Sequence, residues 1–96
     1  MNKKELTMGE LRYISESTDV WQMALDDEID RRGGVSREKL DHINELRDGY
    51  IQEFAEFYKA AIINKQTYDA NLIKYSFDEQ WANKHPEFFD VEKLLG

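Results

Sequence analysis

Two acidic pairs in the sequence have a spacing that could bind a divalent cation. Asp27 and Asp30 are three residues apart, and so are Glu45 and Asp48 further along the chain. Residues three apart share one face of a helix. Carboxylates from two facing helices could supply the oxygen ligands that Mg²⁺ prefers.

The arrangement of these two pairs resembles the acidic motifs of the all-α nucleoside-triphosphate pyrophosphatases. In that family, ExxE and ExxD pairs bind magnesium and activate water for attack on a triphosphate. Asp27-x-x-Asp30 has aspartates where the family has two glutamates, whereas Glu45-x-x-Asp48 keeps the second motif. The resemblance implies an alternative function, that of a Mg-dependent nucleotide hydrolase similar to these pyrophosphatases.

Composition and geometry favour a solvated acidic face over a metal site at these residues. The same acidic spacing recurs at Glu38-x-x-Asp41 and Glu53-x-x-Glu56, in a chain with 20 acidic residues among 96. The two pairs also lie at unequal distances from the predicted turn at Gly33-Gly34, which offsets them by roughly 10 Å at the rise of a helix. We therefore expect no metal site, no cofactor and no enzymatic activity.

The other residue types that commonly perform catalysis form no recognisable motif. His42 and His85 are the only histidines in the sequence, and they lack the spacing of a zinc pair. The absence of cysteine excludes a disulfide, a thiolate metal site and a cysteine nucleophile. The serines lack a nucleophile-elbow pattern, and no glycine-rich phosphate loop follows a strand. We expect both histidines at the surface or at a helix end.

The stretch from Ser36 to Gln66 is predicted to be one long amphipathic helix. Ser36 suits the N-cap, and Glu38 places negative charge in the first turn, where the helix dipole favours it. Apolar residues recur at spacings of three and four, which places them on one side of the helix. They are Leu40, Ile43, Leu46, Tyr50, Phe54, Phe57, Ala61 and Ile62. This apolar side requires a cover from elsewhere.

A first helix is predicted from Thr7 to Arg32. Thr7 and Glu10 fit a capping box, and apolar residues then continue in steps of three and four. The polar cluster from Ser15 to Asp19 offers a competing N-cap that could split the element in two. We prefer a single helix, because the apolar phase is kept across this cluster.

Gly33-Gly34 is predicted to end the first helix, since glycine readily adopts the positive φ of a helix terminus. Only Val35 separates this pair from the Ser36 cap. So short a connection predicts an antiparallel helical hairpin. Two helices alone cannot bury the aromatic side chains from all sides, so either the last thirty residues or a second copy of the chain must cover them.

The last thirty residues are predicted to form shorter helices packed on this hairpin. Thr67 is one candidate cap, and Ser76 to Glu79 fits a second capping box. His85-Pro86 should end that helix, and Pro86 could open a final turn or two. An extended stretch from Asn71 to Phe77 is the competing interpretation, because it contains β-favouring residues. The predicted fold is all-α, a small helical bundle forming a single domain over residues 1–96.

The aromatic side of the long helix is the predicted interaction surface. It consists of Arg47, Tyr50, Phe54, Phe57 and Tyr58. Aromatic residues make up 12 % of the chain and are favoured at interfaces, so we expect part of this cluster in the core and part at a docking surface. Arg47 falls at a seam position. A charge there either lies at the border of the apolar face or fixes the register of two packed chains by pairing with Asp26, Asp27 or Asp30.

The formal net charge is −7, and no segment is a basic patch. Direct binding to nucleic acid is disfavoured, because that affinity comes mainly from Lys and Arg. A basic partner protein suits the sign of the charge. No secretory signal and no long apolar run are present, so we expect no membrane association and a cytoplasmic location.

These observations favour a small acidic helical protein-interaction or regulatory module that acts by binding a partner protein. One form of such a module is an inhibitor that occupies a basic or nucleic-acid-binding site of its target. The alternatives are the hydrolase described above and a helical structural or assembly subunit. For self-association, a homodimer is the simplest arrangement, because one patch then serves both subunits.

Overall fold

The structure is a computed structural model of the chain. It describes residues 5–63 and 69–96, which form five α-helices. They are α1 (Met8–Ser15), α2 (Asp19–Arg31), α3 (Arg37–Ile63), α4 (Ala70–Lys84) and α5 (Val91–Leu95). No strand occurs within the described residues. The predicted fold class, an all-α bundle of a long hairpin with shorter C-terminal helices, is confirmed.

The predicted single helix from Thr7 to Arg32 is wrong, because a turn at residues 16–18 divides it into α1 and α2. The capping box at the start of α1 is present, with the Glu10 amide donating to Thr7 Oγ1 at 3.1 Å and the Thr7 amide to Glu10 Oε1 at 2.8 Å. At the other end, the Ser17 hydroxyl donates to the Ile14 carbonyl at 2.5 Å. Such a local bond competes with the helical ladder. The helix therefore breaks although its apolar phase continues.

The turn between α2 and α3 is confirmed as a glycine turn. Gly33 and Gly34 have φ of 82° and 111°, and the Gly34 amide donates to the Ile29 carbonyl at 2.9 Å. Ser36 Oγ then accepts from the Lys39 amide at 3.2 Å, which confirms Ser36 as the cap of the long helix. The predicted end of this helix, at residues 64–66, lies outside the described residues.

Helix α4 runs without a break through Ser76, where a new helix was predicted to begin. The Asp69 carboxylate accepts from the Asn71 amide at 2.9 Å and so caps the start of α4. Ser76 lies inside the helix, so the predicted capping box from Ser76 to Glu79 is wrong. The extended alternative from Asn71 to Phe77 is wrong for the same reason. The Thr67 cap lies outside the described residues.

The end of α4 agrees with the prediction, but the start of the last helix does not. Helix α4 ends at Lys84, directly before His85-Pro86. Residues 86–89 then form a turn, and α5 begins only at Val91. Asp90 caps α5 by accepting from the Lys93 amide at 3.3 Å. Aspartate is a strongly preferred N-cap, which accounts for the later start.

Helix α3 is the centre of the packing. On its C-terminal half, Phe54 contacts Tyr13 of α1, with ring centroids 6.3 Å apart, and Phe77 of α4, with centroids 5.2 Å apart. Helix α5 packs beside α2, where the Arg32 side chain donates to the Gly96 carbonyl at 3.1 Å. The C-terminal third of the chain thus covers much of the apolar side of α3. Among the described helices, none is both long and apolar enough to cross a membrane.

Candidate functional site

The predicted interaction surface lies largely inside the core. Tyr50, Phe54 and Tyr58 are buried, because α1 and α4 cover this side of α3. Phe57 is half-buried, with its ring centroid 5.5 Å from that of Phe77. These three rings therefore belong to the part of the cluster that was expected in the core. A contact role stays a prediction for the exposed edge of Phe57 and for Arg47.

Arg47 lies at the border of the apolar face. Its side chain is 37 % exposed, and its guanidinium lies 3.7 Å from the Asp48 carboxylate. Within the described part of the chain it forms no ion pair with Asp26, Asp27 or Asp30, and its Nε is buried without a hydrogen-bond acceptor. This partial exposure agrees with the predicted position at the border of the apolar face. The alternative, a pair between two packed chains, stays a prediction.

The acidic pairs and the histidines occupy surface positions. Asp27, Asp30, Glu45 and Asp48 are all exposed, as is His42. His85 forms the C-cap of α4, and its ring centroid lies 4.3 Å from that of Trp81. No group of three or more His, Asp or Glu side chains among the described residues is placed to hold a metal ion. The expectation that the protein is not an enzyme stays a prediction.

The candidate site is an apolar groove of about 420 Å³, which we call the Phe89 groove. It lies between the start of α2, the start of α4 and the turn at residues 86–89. Pockets of this size, lined by apolar side chains with a few polar groups, are typical binding sites. Its lining consists of Ser17, Thr18, Val20, Trp21, Ala24, Tyr50, Lys74, Phe88, Phe89 and Val91. Phe89 also lines an adjoining depression with Tyr75, Asp78 and Glu79.

Stacked rings form the floor of the Phe89 groove. The Phe88 ring lies between Trp21 and Tyr50, with centroid distances of 4.3 Å and 5.2 Å and interplanar angles of 6° and 5°. The Trp21 indole N–H donates to the Phe88 carbonyl at 2.6 Å, which fixes the end of the stack. The stack joins α2, the turn and α3. The floor is therefore rigid, because each of its rings is held by a different element.

The polar end of the groove is a cluster of three side chains from α3 and α4. The Tyr50 hydroxyl donates to Asp78, and Lys74 Nζ lies 2.6 Å from the other carboxylate oxygen. Lys74 Nζ also lies 5.8 Å from the centroid of the Tyr50 ring. Burial and, next, the bond to Asp78 raise the pKa of Tyr50 far above its ordinary value. Tyr50 thus stays protonated at neutral pH and acts as a structural donor.

Exposed apolar side chains are concentrated around this groove. Val20 is 80 % exposed, Tyr75 70 % and Phe89 46 %. Met23 and Leu72 lie one turn along α2 and α4 from Val20 and Tyr75, and both are exposed. These five are more than half of the nine exposed large hydrophobic side chains in the described part of the chain. Contiguous exposed apolar patches on proteins mark contact sites.

Sequence reasoning missed this surface for two reasons. The predicted single helix from Thr7 to Arg32 gave no reason to expect an exposed Val20, and the predicted cap at Ser76 separated Tyr75 from the helix that carries it. The available signal was the cluster from Ser15 to Asp19, whose N-capping residues favour a helix that restarts near Val20.

Neither a protein-family model, nor a curated protein, nor a solved structure matches this chain.

Proposed function

We propose that the protein is a small acidic helical module that acts by binding a partner protein through the Phe89 groove. The observation that carries this proposal is the concentration of exposed apolar side chains around a groove whose floor is rigid. Val20, Tyr75 and Phe89 remain exposed although the chain buries aromatic rings elsewhere. Burying them against a partner would gain roughly 25 cal/mol for each Å² of apolar surface removed from water.

The charge around the groove supports a basic partner. Asp19 and Glu79 are exposed beside it, and the chain carries a net charge of −7. A second copy of the chain would bring the same charges to the contact, and like charges at an interface oppose association. A partner that presents an apolar anchor surrounded by Lys or Arg matches both the exposed apolar side chains and the negative charge around the groove. An inhibitor that covers a basic or nucleic-acid-binding site of its target is one form of such a module.

Site-specific crosslinking tests this proposal. We would place a photoreactive phenylalanine analogue at Tyr75 in the full chain, with the same analogue at the exposed Leu40 of α3 as the matched control. In cells that naturally express the protein, we expect one partner to crosslink from Tyr75 and not from Leu40. The purified partner should then bind the wild-type protein and lose at least about tenfold in affinity, or 1.4 kcal/mol, with Tyr75→Ala.

The other outcomes of the same experiment contradict the proposal. Crosslinking to a second copy of the chain from Tyr75 would favour the helical assembly subunit. Equal crosslinking from Tyr75 and Leu40, or an unchanged affinity of the purified partner for Tyr75→Ala, would show that the Phe89 groove is not the contact. Leu40→Ala should leave the affinity within about twofold of wild type.

A further inference from the structure

A line of exposed carboxylates runs along α3 on the side away from the core. Glu38, Asp41, Glu45 and Asp48 are spaced by three, four and three residues, so they share one face of the helix. We call this line the acidic ridge. It extends over roughly 15 Å at the helical rise. Arg37 precedes Glu38 at the N-terminal edge of the ridge, and Lys39 and Arg47 fall on other sides of α3.

The charge of the acidic ridge is largely uncompensated. Asp48 lies 3.7 Å from the Arg47 guanidinium, whereas Glu38, Asp41 and Glu45 form no ion pair with another described residue. Carboxylates three and four residues apart on a helix repel one another. The ridge therefore weakens α3 in the isolated chain, and a cation placed along it would relieve that repulsion.

The ridge continues into a second groove, of about 500 Å³, between α3 and α4. Gln52 and Glu56 follow Asp48 at steps of four residues, and both line this α3–α4 groove. Its apolar lining is Phe57, Phe77 and Trp81. The rim also holds Glu53, whose carboxylate lies 2.5 Å from Lys84 Nζ, and Gln80. The acidic ridge thus ends at the α3–α4 groove, whose lining is partly apolar.

The two grooves use different sides of α4. Phe77, Gln80, Trp81 and Lys84 line the α3–α4 groove. Lys74, Tyr75, Asp78 and Glu79 line the Phe89 groove or its adjoining depression. These two sets of positions lie on different faces of a helix of 3.6 residues per turn. A ligand of one groove therefore need not touch the other.

We propose that the acidic ridge and the α3–α4 groove together bind a basic segment of a partner protein. Lys or Arg side chains of the segment lie along the ridge, and one aromatic or large aliphatic side chain enters the groove beside Phe57. Charge complementarity identifies this occupant. Nucleic acid and a second copy of this acidic chain would both be repelled by the ridge, whereas a cationic segment with an apolar anchor matches both parts of the surface.

A synthetic peptide tests the inference without knowledge of the natural partner. The probe is a helical peptide of about 15 residues with arginines on one face and leucines and one tryptophan on the other. Its control has glutamate in place of every arginine. Titrated into the isotope-labelled full chain, the basic peptide should shift the amide signals of residues 38–56 and of Trp81, and the acidic peptide should not. Raising the salt from about 0.05 M to about 0.5 M should weaken binding at least roughly tenfold.

Charge-matched variants then locate the site. Neutralising Asp41, Glu45 and Asp48 together (Asp41→Asn, Glu45→Gln, Asp48→Asn) should weaken binding of the basic peptide by roughly tenfold. The control neutralises Glu16, Asp26 and Glu92, three exposed carboxylates outside the ridge, and should weaken it by less than about twofold. A probe in which alanine replaces the tryptophan should bind roughly fivefold more weakly, because the groove loses its anchor.

Each contrary result overturns a defined part of the inference. Equal losses in the two triple variants would mean that net charge alone attracts the peptide. An unchanged affinity of the probe without tryptophan would remove the α3–α4 groove from the site. Shifts at Val20, Tyr75 and Phe89 instead would place the basic segment in the Phe89 groove, which would overturn this inference and leave the proposed function standing. No binding at low salt would overturn it entirely.

Discussion

The Tyr50 hydroxyl donates a hydrogen bond to the Asp78 carboxylate and so joins the centre of α3 to the middle of α4. Lys74 neutralises the same carboxylate from one turn earlier in α4, at 2.6 Å. The Tyr50 ring is at the same time part of the aromatic stack with Phe88. One residue thus fixes both the floor and the polar end of the Phe89 groove.

Removing the Tyr50 hydroxyl should destabilise the protein without changing its fold. Tyr50→Phe keeps the ring in the stack and deprives Asp78 of a donor, and a hydrogen bond to a charged group is worth about 1.5–3 kcal/mol. Because Lys74 still pairs with Asp78, we expect a loss of about 1–2 kcal/mol in the free energy of unfolding, measured in urea. Tyr75→Phe is the matched control, and it should lie within about 0.5 kcal/mol of wild type because Tyr75 is exposed. Equal effects of the two substitutions would contradict the structural role of Tyr50.

The raised pKa of Tyr50 predicts a loss of stability at high pH. Burial first, and the bond to Asp78 second, raise this pKa above the value of 10.0 expected for the unfolded chain. Below that pH Tyr50 is protonated in both the folded and the unfolded chain, so its contribution to the free energy of unfolding is fully present. Above it the unfolded chain releases the proton while the folded chain keeps it. The free energy of unfolding then falls by about 1.4 kcal/mol per pH unit from this group.

Comparison of wild type with Tyr50→Phe isolates that contribution. Burial also raises the pKa of Tyr13 and Tyr58. Both residues are present in both proteins, so their contributions to the pH dependence largely cancel in the comparison. The stability advantage of wild type over Tyr50→Phe should therefore shrink by about 1 kcal/mol or more between about pH 8 and about pH 11, measured by urea unfolding. An advantage that is the same at both pH values would show that Tyr50 ionises normally in the folded chain.

The turn at Gly34 should not accept another residue without cost. Its φ is 111°, and an added Cβ would meet nothing within 4 Å, so the penalty is one of backbone conformation alone. We expect Gly34→Ala to lower the free energy of unfolding by about 1 kcal/mol or more. Gly9→Ala is the matched control. It lies inside α1 with ordinary space for a Cβ, and there alanine should stabilise the protein by about 0.5–1 kcal/mol. Opposite signs for the two substitutions are the expected result in thermal or urea unfolding.

The parts of the fold that were predictable are those that local sequence determines. Ser36, the glycine pair and the spacing of apolar residues mark the start and face of α3 without reference to any other element. The break after Ser15 was not predictable in the same way, because the apolar phase that favours continuity and the Ser17 side chain that opposes it are both present in the sequence. The structure shows that the local bond from Ser17 to Ile14 prevails.

The candidate site depended on information that the sequence does not carry locally. Tyr50 and Tyr75 are the same residue type, and each lies in a helix with apolar neighbours. Only the packing of α4 on α3 buries the first and exposes the second. In α4, Asp78 points toward Tyr50 while Leu72 and Tyr75 are exposed, so the alternation of polar and apolar residues does not mark its buried face.

The adjacent residues Phe88 and Phe89 should separate stability from binding. Phe88 is 1 % exposed and stacks between Trp21 and Tyr50, so Phe88→Ala removes the centre of the floor and should cost about 3–5 kcal/mol of unfolding free energy. Phe89 is 46 % exposed at the edge of the groove, so Phe89→Ala should cost about 1 kcal/mol or less. Urea unfolding of the two variants gives the comparison.

The loss of partner affinity should have the opposite order. For this measurement Phe88→Leu replaces the less stable Phe88→Ala. Under conditions where Phe89→Ala remains fully folded, its affinity for the partner crosslinked through Tyr75 should fall by roughly tenfold, because the exposed ring is available to enter a partner pocket. Phe88→Leu, which keeps apolar volume in the floor, should bind within about twofold of wild type if it folds, since the Phe88 side chain is covered by its neighbours. A folded Phe89→Ala variant with wild-type affinity would remove Phe89 from the contact.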